Sequence, residues 1–142
     1  MSSATNTDQR TPGSLPAAIS THVVRLVAEY TGRGPTKART TIRDNLVVCM
    51  TEDNMTKAER RLAEEGEGEL VVTIRRRFQT TMRDDLVSGI ELLTGRKVVS
   101  FLSDHNAETD HAAEVFVLDG PPHVSDATPT GDRAASNALG NR

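Results

Sequence analysis

From Leu15 onward the apolar residues Ile19, Val23, Leu26, Val27 and Tyr30 recur at spacings of three and four, which lays them along one face of a helix. Ser14 stands where an N-cap belongs, Pro16 fits the first turn, and Gly32 supplies the stop. The run GRGP, residues 32–35, then forces a turn, since the residue before a proline is excluded from helix. From Thr36 the period drops to two: Ala38, Thr40 and Ile42 alternate with Lys37, Arg39, Thr41 and Arg43. Asp44 and Asn45 form a turn pair, and LVVCM, Leu46 to Met50, reads as a more deeply buried strand, so 36–51 is predicted to be a hairpin. The pair Thr56 and Glu59 is a capping box that opens a short helix at Lys57, running to about Glu65, before Gly66 and Gly68 interrupt it. Leu70, Ile74, Phe78, Met82, Leu86, Ile90 and Leu93 then recur almost every four residues up to Gly95, the pattern of one long amphipathic helix. KVVSFLSD and AAEVFVL close the series as two β-rich runs, with Val99 and Phe101 expected on one face of the first and Val115 and Val117 on one face of the second.

The order is therefore αββααββ, and the fold class is α+β: a small antiparallel sheet of about four strands packed against one long and two shorter helices. Residues 1–14 and 119–142 are rich in Ser, Thr, Gly, Pro, Asp and Ala and poor in large apolar groups. They are expected to be disordered tails flanking one domain over residues 15–118. The long helix, at 1.5 Å per residue, would extend about 40 Å, more than a domain of this size needs for its own core. Its four-residue spacing drifts around the helix and leaves Val71, Val72 and Val87 as an uncovered patch. A homodimer with long helices or sheet edges at a two-fold interface follows as the expectation.

Composition narrows the chemistry. The chain has no Trp, one Tyr and three Phe, so bases would find few stacking platforms, and a formal net charge of −3 gives no general attraction to nucleic acid. Cys49, the one cysteine, excludes an internal disulfide and a multi-cysteine zinc site. The N-terminus lacks the cationic start and apolar stretch of a signal peptide, and no apolar segment nears the roughly 20 residues of a membrane span. Cytoplasmic location without membrane insertion is the expectation.

Candidate sites are few. Asp104, His105 and His111 gather possible metal ligands between the last two apolar runs, yet the two histidines are six positions apart, which fits neither one helix face nor one strand face. The polar residues there suit a turn, with a metal-dependent enzyme at 104–111 as a third-ranked alternative. Arg75, Arg76, Arg77 and Arg83 make the most basic stretch, a possible contact for phosphate or an acidic partner, and a nucleic-acid-binding regulator using the Arg75–Arg83 face ranks second. The surrounding helix is charge-balanced, which favours a solvated face. No nucleophile elbow, phosphate loop or H-E-x-x-H motif is present, so no catalytic residue, no cofactor and no enzymatic activity is assigned.

Taken together, EYTGRGPTKARTTIRDNLVV, MTKAERRLAEEGEGELVVTIRRRF, IELLTGRKVVSFLSD and AEVFVLD resemble the MpsC-like family over Ile19 to Asp119. The resemblance implies an accessory component of a Na⁺-translocating, membrane-potential-generating system, whose membrane subunits are related to inorganic-carbon uptake proteins. It transfers no catalytic residues. It does carry over Gly34 and Pro35 after the first helix, the Thr56 to Glu59 start, Arg75 before Phe78, Gly95, and Ser103 with Asp104. Gly34, Pro35, Arg75, Arg76, Arg83, Ser103 and Asp104 are accordingly the interaction candidates. The leading expectation is a non-catalytic accessory protein that binds a protein partner in a membrane transport complex.

Overall fold

Two helices cross one face of a sheet whose opposite face carries no helix among the described residues. A computed structural model describes residues 13–123, in the order α1 (Leu15–Thr31), β1 (Lys37–Arg43), β2 (Leu46–Glu52), α2 (Lys57–Glu64), α3 (Gly68–Thr94), β3 (Val98–Asn106) and β4 (His111–Leu118). The strands form one four-stranded antiparallel sheet in the order β1-β2-β4-β3. The α+β class and the αββααββ order are those expected.

Local signals set the element ends. Ser14 Oγ accepts from the Ala17 amide at 3.1 Å, and Gly32, with φ of 85°, closes α1 in the left-handed region. Gly34 is required for packing: a Cβ there would lie 3.0 Å from the Val24 carbonyl oxygen, and the buried Pro35 follows it. Gly34 and Pro35 thus seat the α1–β1 turn against α1. The capping box of α2 is complete, with Thr56 Oγ1 accepting from the Glu59 amide and Glu59 Oε1 accepting from the Thr56 amide.

On the helix-covered face the register builds three rows across the sheet. Ile42, Val47, Phe116 and Phe101 form an apolar row, and the Phe101 and Phe116 rings stack with centroids 5.0 Å apart. Ile19, Val23, Leu26 and Val27 of α1 and Met82, Leu86 and Ile90 of α3 join Val47, Phe116 and Leu118 in the core. The next row is Thr40, Cys49, Glu114 and Ser103, and the one beyond it Ala38, Thr51, Ala112 and His105. The covered face therefore passes from apolar to polar along the strands.

The open face presents Val48, Met50, Ala113, Val115 and Val117, partly exposed, with Leu102 at 57% exposure. Lys37, Arg39 and Arg43 line its β1 edge. Val115 and Val117 share this face, as their alternation required.

Three expectations need correction. Val99 does not share a face with Phe101: a register shift between Val98 and Ser100 turns Val98 toward the core and leaves Val99 63% exposed. The N-terminal half of α3 buries Val71, Arg75 and Gln79, while Leu70 is 45% exposed and Ile74 and Phe78 lie on the flank. A four-residue spacing overshoots the 3.6-residue helical repeat, so the stripe rotates off the sheet over three turns. Val71 is accordingly fully buried, while Val72 and Val87 are half-buried; exposed apolar side chains remain on α3 at Leu70 and Leu92 and on the sheet at Leu46, Val99 and Leu102. The connection between the last strands is also tighter than expected, because β3 runs through His105 and β4 begins at His111, leaving 107–110 as the turn.

Among the described residues, no helix is long and apolar enough to cross a membrane. Most of the expected tails, 1–14 and 119–142, lies outside the described residues. Within them Ser14 caps α1, and the Asp119 and His123 amides bond to the carbonyl oxygens of Lys97 and Thr94.

Candidate functional site

The polar end of the covered face is organised by the segment that leaves β2. Asp53 adopts a left-handed φ of 60°, and its carboxylate accepts from Thr36 Oγ1 at 2.9 Å and pairs with Arg33 and Arg60, each at 2.9 Å. The Thr36 hydroxyl and the Arg33 guanidinium hold this carboxyl below the usual range. Arg33 also donates to the carbonyl oxygens of Asp53 and Met55.

Asp110, at the end of the β3–β4 turn, grips the same segment from the other side. Its Oδ2 accepts from the Asn54 and Met55 amides at 2.9 and 3.0 Å, and its Oδ1 lies 2.8 Å from His105 Nε2. Arg60 reaches the Oδ2 at 3.4 Å. The turn is closed by Asn106, whose side-chain oxygen accepts from the Glu108 and Thr109 amides.

Arg75 comes from α3 into this assembly. It is 5% exposed, donates to the Asn54 carbonyl oxygen and pairs with Glu59 Oε1 at 3.1 Å. The carboxylate that completes the α2 capping box is thus also the counter-ion of a buried arginine. Glu114 lies deeper, beside Ser103 across the β3–β4 pair. Burial pushes its carboxyl up to about 7, against the opposing pull of the Ser103 hydroxyl and the Arg75 charge. Neither Ser103 Oγ nor Glu114 Oε1 closes a hydrogen bond of acceptable geometry, however near the two groups are.

That shortfall is concentrated. Among the described residues, the fully buried side-chain polar atoms without a partner are Glu59 Oε2, Arg75 Nε, Ser103 Oγ, His105 Nδ1 and Glu114 Oε1, all in this one assembly. An unsatisfied buried polar atom costs roughly 1–3 kcal/mol, so the polar end of the core is held at the expense of stability.

Two clefts open over it between α3 and β3. One, of about 730 Å³, lies near the turn and includes Gly68, Val72, Arg76, Asp104 and His105 in its lining. The other, of about 450 Å³, is lined by Arg76, Gln79, Thr80, Arg83, Phe101 and Ser103. Arg76 stands between them and reaches Asp104 at 3.6 Å.

The structure brings Arg76, Arg83, Ser103 and Asp104 together at these clefts. Arg75 turns inward instead, so the Arg75–Arg83 stretch is not one solvent-facing surface. Gly34 and Pro35 lie at the α1–β1 turn. His105 and His111 fall on opposite faces of the sheet, the first bonded to Asp110 and the second 48% exposed and 4.0 Å from Glu52. Among the described residues, no group of three or more His, Cys, Asp or Glu side chains is placed to hold a metal ion. Burial raises the Cys49 thiol to about 11, which leaves it protonated and unreactive at neutral pH. Sequence reasoning missed Gln79 and Glu114. Glu114 was signalled by parity, since it alternates in step with Phe116 and Leu118.

Comparison with known proteins adds a family match over residues 11–120, to a model described as "Na+-translocating membrane potential-generating system (MpsC)". The chain is also similar to the uncharacterized protein YrhF of Bacillus subtilis (strain 168), with 33% identity over 100 residues, covering 67% of this chain and 80% of that protein. No solved structure matches.

Proposed function

The chain belongs to the MpsC family, and from that premise we propose that it is a non-catalytic cytoplasmic accessory protein of a Na⁺-translocating, membrane-potential-generating system, acting by binding a protein component of that system. The observation that carries the reading is the open face of the sheet. Val48, Met50, Val115, Val117 and Leu102 make a contiguous apolar strip that no helix of the described residues covers, bordered by Lys37, Arg39 and Arg43. Soluble domains seldom leave such a strip bare unless a partner covers it, and a cationic border supplies orientation to an acidic counterpart.

The reading is tested in cells lacking the gene, with membrane potential followed by a voltage-sensitive dye in Na⁺ medium. Loss of the gene lowers the Na⁺-dependent potential, the parent gene restores it, and Val115→Asp does not, although the purified variant keeps its helical and strand signal. An unchanged potential in the deletion strain, or full restoration by Val115→Asp, overturns the proposal.

A further inference from the structure

The 450 Å³ cleft between α3 and β3 holds polar groups that the fold leaves unused. Gln79 is 9% exposed, and its side chain lines the cleft and makes no hydrogen bond among the described residues. Its amide offers two donors and an acceptor to whatever enters the cleft. Ser103 lies in the same lining with its hydroxyl buried and unpartnered. Arg83 has no ion pair or hydrogen bond among the described residues; its guanidinium stands 5.7 Å from the Phe101 ring centre. That ring is itself backed by Phe116, so the cation is braced with its N–H groups free. Arg76 completes the rim and is held only by Asp104, at 3.6 Å with both side chains largely exposed.

We propose that this cleft binds a small organic oxyanion, a carboxylate or a phosphate monoester, between Arg76 and Arg83 with Gln79 and Ser103 as its floor. The donor set fits that class. Two guanidiniums give charge-assisted, planar recognition of a carboxylate or phosphate, while the amide and hydroxyl fix its orientation. The volume is within the roughly 300–1,000 Å³ usual for small-molecule sites. Asp104 acts as an internal competitor, because an incoming anion must draw Arg76 away from it. Beneath the floor lie two buried charged side chains, Glu114 of β4, paired with Ser103 across the strands, and Arg75 of α3. With its carboxyl raised to about 7 by burial, Glu114 is mostly protonated at pH 6 and opposes an anion only weakly there. This inference is independent of the partner-binding sheet face, which lies on the other side of the sheet.

The test is a titration of the full chain at pH 6 with citrate and with inorganic phosphate, by calorimetry and by amide chemical shifts, at fixed ionic strength set with chloride. One saturable site for at least one of the two is expected, with shifts concentrated at Arg76, Gln79, Arg83 and Ser103. Arg83→Gln weakens it by about tenfold or more and Gln79→Leu by about threefold or more, as expected for lost charge-assisted and neutral hydrogen bonds. Asp104→Asn tightens it. Non-saturating shifts reproduced by chloride overturn the proposal, as does saturable binding that Gln79→Leu and Arg83→Gln leave unchanged. If Arg83→Gln lowers the unfolding midpoint, Asp104→Asn decides: tightening supports the site and unchanged affinity overturns it.

Discussion

Replacing Asp110 by alanine removes the acceptor of three buried donors at once: the Asn54 and Met55 amides and the Nε2 of His105. Each orphaned donor costs roughly 1–3 kcal/mol, and the lower half of that range applies here because the partly exposed Arg60 beside Oδ2 gives water a route in. Alanine must also adopt the φ of 58° that Asp110 holds, at a cost of about 1 kcal/mol. The sum is about 4–7 kcal/mol, a large share of the roughly 5–15 kcal/mol that keeps such a domain folded. Asp110→Asn separates the contributions. Asparagine tolerates the left-handed conformation and keeps one oxygen for the two amides, while its NH₂ meets a His105 that has moved its proton to the unpartnered Nδ1. Only charge assistance is lost, at about 1–2 kcal/mol. Asp110→Gly relieves the backbone but not the donors, and should recover about 1 kcal/mol relative to alanine. Urea unfolding followed by far-ultraviolet circular dichroism suits a chain with no Trp and one Tyr. An alanine variant within about 1 kcal/mol of the parent, or an asparagine variant as damaged as alanine, refutes the view that this carboxylate anchors the β2–α2 segment.

The folded Glu114 carboxyl titrates at about 7 against an ordinary value of 4.5, so the folded state binds the extra proton. Its contribution is complete below about pH 4.5 and is lost as pH rises through 7, about 3 kcal/mol in all; the difference in stability between parent and Glu114→Gln should shift with pH in that direction, and a pH-independent difference would sink the assignment. A Cβ at Gly89 would come within 2.1 Å of the His22 ring, which otherwise lies 3.3 Å from the Leu86 carbonyl oxygen. Gly89→Ala should therefore stabilise by about 1 kcal/mol only when His22 is also alanine, and simple additivity in the double-mutant cycle would show that the two residues do not interfere. Light scattering at micromolar concentration is expected to return twice the 15.4 kDa chain mass, with the long helices or sheet edges at a two-fold interface, and a single chain mass overturns the homodimer.

Much of the architecture is written locally. Ser14, Thr56 with Glu59, Asp44 with Asn45, and Gly95 each mark an element boundary through interactions within a few residues, and such marks can be read without knowing the fold. Features that depend on a neighbour were harder to read. The turning of Val99 away from Phe101 reflects how β3 meets β4. The inward position of Arg75 and Gln79 follows from the polar rows beneath α3, which bring Glu114 and Ser103 under a face that would otherwise demand leucine. Arg76, Arg83, Ser103 and Asp104 could be suspected from charge and resemblance, but the cleft uniting them arises only when α3 lies along β3. Gln79 carries no signal in isolation, because a glutamine on a charged helix is most simply a solvated one.

The strand order β1-β2-β4-β3 places the two hairpins side by side, so that Leu46 pairs with Val117 across half of the chain. Each hairpin closes a short loop and can form early, whereas the β2–β4 seam must close a long one and is the slow, entropically demanding event in folding. Asp110 lies at one end of that seam and holds Asn54 and Met55, in the segment that leaves the other hairpin. Its grip can be established only after the halves have met. The carboxylate therefore works chiefly as a latch against reopening, governing how long a folded molecule survives more than how quickly it arises.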